Sequence, residues 1–161
     1  MTIITFDLSL SNSGIAIFND AGECIKLLSI DTNKGDTYPK RLKHIEKEFL
    51  KLRRAYKPDR IVFEESFTRF NKSTQAIYRV RGLAELVFYR AKQYCYHATT
   101  IRKEVLGKGN AKKEDVYNYA CVTYPQLKFE DYDQSDAFAI GLCYFKRKGV
   151  LHKWAEAHIE K

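Results

Sequence analysis

Residues 2–31, TIITFDLSLSNSGIAIFNDAGECIKLLSID, decide the fold class. Residues 2–8 alternate Ile, Thr and Phe in the manner of a buried strand that ends at Asp7. The Ser/Asn/Gly stretch from Ser9 to Gly14 turns the chain into a second apolar strand, GIAIF. Asn19-Asp20-Ala21-Gly22 makes the next reversal, because Asn, Asp and Gly tolerate the backbone angles of tight turns. A third strand follows over residues 23–31. Three strands joined by connections this short predict an antiparallel meander.

Beyond the meander the period changes. Leu42, Ile45, Phe49, Leu52 and Tyr56 fall on one helical face, with Pro39 suited to the first turn and Pro58 forcing a stop. RIVFE, residues 60–64, is a short buried strand that again ends at a carboxylate. Ala76, Ile77, Val80, Leu83, Ala84, Val87, Phe88 and Ala91 predict a helix over residues 73–92. That helix carries more apolar residues than one face needs, which suits either a dimer interface or burial within the monomer. YCYHATT, residues 94–100, reads as a strand, and Asn110 as the cap of a helix over 111–124 that ends before Pro125. A last helix over 134–147 is apolar nearly all round. Strands first, then alternating helices and strands, predict an α/β fold with a mixed five-stranded sheet flanked by helices. The 161 residues correspond to one domain, without internal repeats.

Lys and Arg number 28 against 20 acids, giving a net charge of +8. Such a surplus favours a polyanionic partner, since phosphates release counterions when cations neutralise them. No apolar run is long enough to span a membrane, and MTIITFDLSLSN lacks the pattern of a signal peptide, which predicts a cytoplasmic protein. Cys24, Cys95, Cys121 and Cys143 are too widely spaced for a zinc site or a disulfide framework and read as reduced, buried thiols.

Asp7 and Glu64 each end an apolar strand, and ligands of open α/β sheets gather beyond such ends. Asp133 and Asp136, three residues apart at the start of the last helix, share a face. Acids converging beside an apolar core repel one another unless hard divalent cations neutralise them, and Mg²⁺ prefers carboxylate oxygens. Two such ions about 4 Å apart activate water and stabilise the leaving oxygen in phosphodiester cleavage. The plainer reading makes Asp7 a turn residue and Asp133 a helix cap or first-turn acid favoured by the helix dipole. Glu65 competes with Glu64, because adjacent strand residues face opposite ways and periodicity does not choose between them.

Five segments in order resemble the RuvC-type Holliday junction resolvases, particularly their bacteriophage members. FDLSLSNSGIAIF (6–18) resembles the opening strand and turn, IVFEESF (61–67) the Ile-Glu-x-x-Phe segment, and VRGLAEL (80–86) the Arg-Gly pair of the central helix. VLGKGNAKKEDV (105–116) resembles Gly-x-Gly-x-Ala-x-Lys, and DYDQSDAFAIGL (131–142) the closing Asp-x-x-Asp-Ala pattern. The resemblance selects Glu64 over Glu65, puts the basic site residue at Lys113 and places Phe67 beside the site. It implies a ribonuclease H-like fold, a homodimer, two Mg²⁺ ions per site with Mn²⁺ as a substitute, and paired nicks in a four-way junction. Leu8-Ser9-Leu10-Ser11 departs from the Asp-Pro-Gly of bacterial members, and Arg102 stands near a position where they carry Lys.

On this reading Asp7, Glu64, Asp133 and Asp136 ligate metal and Lys113 stabilises phosphate charge. Phe67 with Arg69 and Phe70 forms a wedge against an unpaired base, or packs as core. Arg79, Arg81, Arg102, Lys108 and Lys112 are the further DNA contacts expected, and Gly107 and Gly109 either admit the substrate backbone or simply serve a loop. A phage-encoded chain would act in the host cytoplasm. Competing functions are a nuclease for flaps or RNA–DNA hybrids, a silent junction-binding module, and an actin-like phosphate-binding module suggested by DLSLSNSG. The last needs a second domain that 161 residues do not supply.

Overall fold

The computed structural model describes residues 1–65 and 72–149, apart from the side chain of Ser73. Phe67, Arg69 and Phe70, the expected wedge, lie outside the described residues. The chain forms β1 (Ile3–Asp7), β2 (Asn12–Phe18), β3 (Cys24–Asp31), α1 (Tyr38–Tyr56), β4 (Arg60–Glu65), α2 (Lys72–Val87), β5 (Lys92–His97), α3 (Ala98–Leu106), α4 (Lys113–Thr123) and α5 (Tyr132–Arg147). The strands make one mixed sheet in the order β3-β2-β1-β4-β5. β1, β2 and β3 form the expected antiparallel meander, whereas β4 lies parallel to β1 and β5 parallel to β4.

The central position of β1 explains its uninterrupted apolar sequence, since helices cover both of its faces. Ile4, Phe6, Ile61 and Phe63 point to α1 and α2, which bury Ile45, Phe49, Val80 and Ala84 against them. Phe6 anchors that side, with its ring 5.4–5.5 Å from those of Phe49, Phe63 and Phe88. Ile3, Ala16, Phe18 and Val62 point the other way, onto α5 and the residues of α3 and α4 that pack beside it. Twelve consecutive α5 residues, Gln134 to Phe145, are buried, which accounts for a helix apolar on every side.

Several boundaries differ from the sequence reading. ATT is the start of α3 rather than the end of a strand, because Ala98 and Ile101 bury one helical turn apart; Gly107, at φ 76°, ends that helix by donating to the Lys103 carbonyl. The cap of α4 is Lys112, not Asn110: the Lys112 N–H donates to the Asp115 carboxylate at 2.7 Å. Helix α5 begins two residues early, at Tyr132, because Asp131 is its extended cap and accepts the Gln134 N–H at 2.7 Å. The regular part of α2 ends at Val87, and the Ala91 N–H donates to the Phe88 carbonyl as the chain turns into β5. Cys143 is buried, but Cys24, Cys95 and Cys121 are only half-buried; all four are free thiols. Burial pushes the Cys24 thiol up to about 12 and that of Cys143 to about 11, so both are protonated. Among the described residues no helix is long and apolar enough to cross a membrane.

Candidate active site

Period-two alternation puts Thr5 and Asp7 of β1, and Val62 and Glu64 of β4, on the face that meets α5. Thr5 fastens that contact by donating its hydroxyl to the Ala137 carbonyl at 2.6 Å. Glu65 points away and sits 3.1 Å from His97. The packing of α5 on one face therefore separates Glu64 from Glu65, a distinction absent from the strand pattern itself.

β2 comes close enough to the first turn of α5 that a Cβ on Gly14 would lie 1.9 Å from the Asp133 carbonyl oxygen. This approach brings Asp133 and Asp136 to the end of β1. Oxygens of Asp7, Asp133 and Asp136 lie within 4.8 Å of one another. The Lys113 ammonium, from the first turn of α4, stands among them, 3.3 Å from Asp7, 3.2 Å from Asp133 and 2.8 Å from Asp136. A cation in that helical turn opposes the helix dipole, and the three carboxylates explain its presence.

The electrostatics describe a cluster in need of positive charge. Burial, together with Asp136, Glu64 and Asp133, outweighs Lys113 and pushes the Asp7 carboxyl up to about 7. Glu64 is raised by burial and by Asp136, against the pull of Arg102 and Lys113. Asp136 is likewise raised by burial, although Lys113 and Arg102 oppose the shift. Burial works against the charge of Lys113, but Asp7, Asp136 and Asp133 together hold its ammonium well above the ordinary lysine range. Arg102, on α3, therefore joins the site as a neighbour of Glu64 and Asp136.

The remaining expected DNA contacts divide by location. Lys108 and Lys112 are exposed on the connection between α3 and α4, next to Lys113 in sequence. Arg79 and Arg81 belong to α2, across the sheet from α5. The Arg79 guanidinium lies over the Tyr38 ring. Arg81 is engaged internally, 4.2 Å from the Phe63 ring centre, 2.8 Å from Glu85 and 3.3 Å from the Cys95 sulfur. Proximity in chain order is thus a poor guide to the acid cluster. Gly107 serves as a helix terminator.

A polar network behind the acids escapes the sequence reading. The Asn12 amide donates to Asp131 at 2.9 Å and to Asp133 at 3.0 Å, while Ser29 donates to Asp131 at 2.9 Å. Burial disfavours the Asp131 carboxylate, but bonds from the Gln134 N–H, Asn12 and Ser29 more than offset it and hold the carboxyl below its ordinary value. The cap position of Asp131 is the one signal that the sequence carries for this network.

Three carboxylates offering only hard oxygens fit a divalent cation such as Mg²⁺ better than a soft one. Residues 3–144 match the family described as crossover junction endodeoxyribonuclease RuvC. The protein of that name from Ehrlichia ruminantium (strain Gardel) is 34% identical over 155 residues, covering 89% of this chain and 96% of its own. The one from Rhizobium johnstonii is 26% identical and covers 91% of this chain and 90% of its own. Among solved structures, Thermus thermophilus RuvC in complex with a Holliday junction substrate superposes with a TM-score of 0.77 at 19% identity, covering 93% of this chain and 97% of that one. The fold is therefore of the ribonuclease H-like type, and the chain belongs to the RuvC family of crossover junction endodeoxyribonucleases.

Proposed function

We infer that this chain is a structure-selective endonuclease that resolves Holliday junctions by Mg²⁺-dependent phosphodiester cleavage. The observation that carries this reading is the gathering of Asp7, Asp133 and Asp136 around one cationic position at the end of β1, in a chain of the RuvC family. Asp7, Asp133 and Asp136, with Glu64 beside them, would hold the divalent cations. When bound, the ions supply Lewis-acid activation of the attacking water and neutralise charge on the departing oxygen.

The protein's own groups account for the rest. Lys113 offsets the charge of the three carboxylates, and its flexible ammonium would be able to pair with a non-bridging phosphate oxygen of the substrate. Arg102 offers a second cation on the Glu64 side, and the exposed Lys108 and Lys112 extend positive charge along the α3–α4 connection for phosphates further along the strand. Phe67, with Arg69 and Phe70, keeps the proposed role of a wedge that stacks on an unpaired base at the junction.

The functional unit is a homodimer of one nuclease domain per chain, working in the cytoplasm. Tyr78 and Leu86 of α2 are exposed, as is Tyr89 just beyond it, and this apolar surface suits the two-fold interface. A two-fold dimer matches the pseudo-symmetry of a four-way junction and sets two sites on opposed strands.

The test is cleavage of labelled four-way, flap, RNA–DNA hybrid and linear duplex substrates side by side with Mg²⁺. Symmetric paired nicks are expected in the junction, with a preference of about 10³-fold over linear duplex. Cleavage of the flap or hybrid at rates equal to the junction would instead favour a ribonuclease H-like nuclease of other specificity.

A further inference from the structure

We infer that Asn12 is a positioning residue that fixes the Asp133 carboxylate for cation binding, an inference that rests on the metal-dependent reading above. Asn12 opens β2, and its side-chain nitrogen donates to Oδ2 of both Asp131 and Asp133, at 2.9 and 3.0 Å. Ionised carboxylates only accept, so the NH₂ end of the amide must face them. Its carbonyl oxygen, Oδ1, is then left buried with no partner among the described residues. Two charge-assisted bonds compensate that orphaned acceptor.

The two carboxylates that Asn12 joins do different things. Asp131 caps α5 and is fully engaged, by the Gln134 N–H at 2.7 Å, by Ser29 at 2.9 Å and by Asn12. Asp133 is anchored by Asn12 through Oδ2 alone, which leaves Oδ1 turned to the position of the Lys113 ammonium, 3.2 Å away. A neutral donor between two like charges thus couples the rigid cap of the helix to the carboxylate that faces the cation. Without it, Asp133 would be free to rotate away from its neighbours, and Asp131 would repel it. Outer partners of this type tune metal affinity through the orientation of the ligand.

Ser29 separates this role from simple attachment of the sheet to α5. Its hydroxyl donates to Asp131 and accepts from the Gln134 amide at 3.0 Å. Both of these bonds run to residues other than Asp133, so Ser29 belongs to the structural half of the network.

The experiment is calorimetric titration of the full chain with Mn²⁺, without DNA, alongside thermal melts. Asn12→Ala is expected to weaken Mn²⁺ binding by about tenfold or more, while Ser29→Ala stays within about twofold of the wild type even where its melting temperature falls. Should Asn12→Ala not fold, Asn12→Ser is read in the same way, because a hydroxyl is too short to span both carboxylates. Wild-type Mn²⁺ affinity in the folded Asn12 variant, or equal weakening in Ser29→Ala, overturns the positioning role. Absence of Mn²⁺ binding by the wild type overturns the metal reading itself.

Discussion

Asp7→Asn is expected to abolish junction cleavage, retain junction binding and raise the stability of the metal-free protein above neutral pH. Asp7 ends the central strand and faces Asp133, Asp136 and Glu64, so it is the acid that every other member of the cluster meets. Removing it forfeits several kcal/mol of charge stabilisation in the reaction, or about 10³-fold or more in rate. The phosphate contacts proposed for Lys108, Lys112 and Arg102 would be untouched, so affinity for the junction is expected to persist and still to fall steeply with salt.

The stability effect has the opposite sign because Asp7 is held against its preference. Its carboxyl ionises near 7 in the folded chain and near 3.8 otherwise. Well below 3.8 the group is protonated in both states and changes nothing. Between 4 and 7 the unfolded chain ionises first, so the folded state loses stability as pH rises, on the order of 4 kcal/mol by pH 8. The amide has no such penalty. In melts with chelator present, the wild type should lose stability from pH 4 to pH 8 and Asp7→Asn should lose markedly less. Divalent cation should reverse the order at pH 8, since binding to the native state stabilises it by mass action. Undiminished cleavage by the variant would exclude Asp7 from the site, and an identical pH slope would exclude the electrostatic account.

Strand and helix periods announce most of this architecture because the central elements are long and consistently patterned. The meander of β1, β2 and β3, and α1 with its stop at Pro58, follow directly from alternation and helical spacing. Where the reading failed, local chemistry was ambiguous. Thr99 and Thr100 are β-branched and follow an aromatic strand, so the start of α3 looks extended; its helical character shows only in the spacing of Ala98, Ile101 and Val105. In EDYDQSD either Asp131 or Asp133 suits the cap of α5, and what distinguishes them is the Gln134 N–H bond that Asp131 accepts, together with its tertiary bond from Ser29. Glu64 and Glu65 were indistinguishable for a similar reason: β4 is apolar on both faces, and which face carries α5 is a property of the assembled sheet. Arg79 and Arg81 show the converse: their closeness to the site segments along the chain does not carry over to space, and they stand on a helix across the sheet from the acids.

Gly14→Ala should damage the protein nearly as much as loss of a carboxylate, although glycine bears no functional group. A methyl at this position would stand 1.9 Å from the Asp133 carbonyl oxygen, 2.1 Å from its carbonyl carbon and 2.7 Å from the Gln134 nitrogen. All three are backbone atoms in the first turn of a buried helix, so no side chain can swing aside to relieve the clash. The α5 start must move away from β2, stretching the bonds from Asn12 and drawing Asp133 and Asp136 away from Asp7. Overpacking of this type costs about 1–3 kcal/mol, and a displacement of about 1 Å among reacting groups costs about 10²-fold in rate. Gly82 makes the comparison: a Cβ there meets nothing within 4 Å, and it lies inside α2. Gly82→Ala should therefore be neutral or stabilising by up to about 1 kcal/mol, through helix propensity. Melting temperature, Mn²⁺ affinity and junction cleavage should all fall for Gly14→Ala while the Gly82 variant keeps its rate. A Gly14→Ala protein with wild-type rate and melting temperature would show that β2 and α5 do not meet as described, and that the carboxylates are gathered by some other contact.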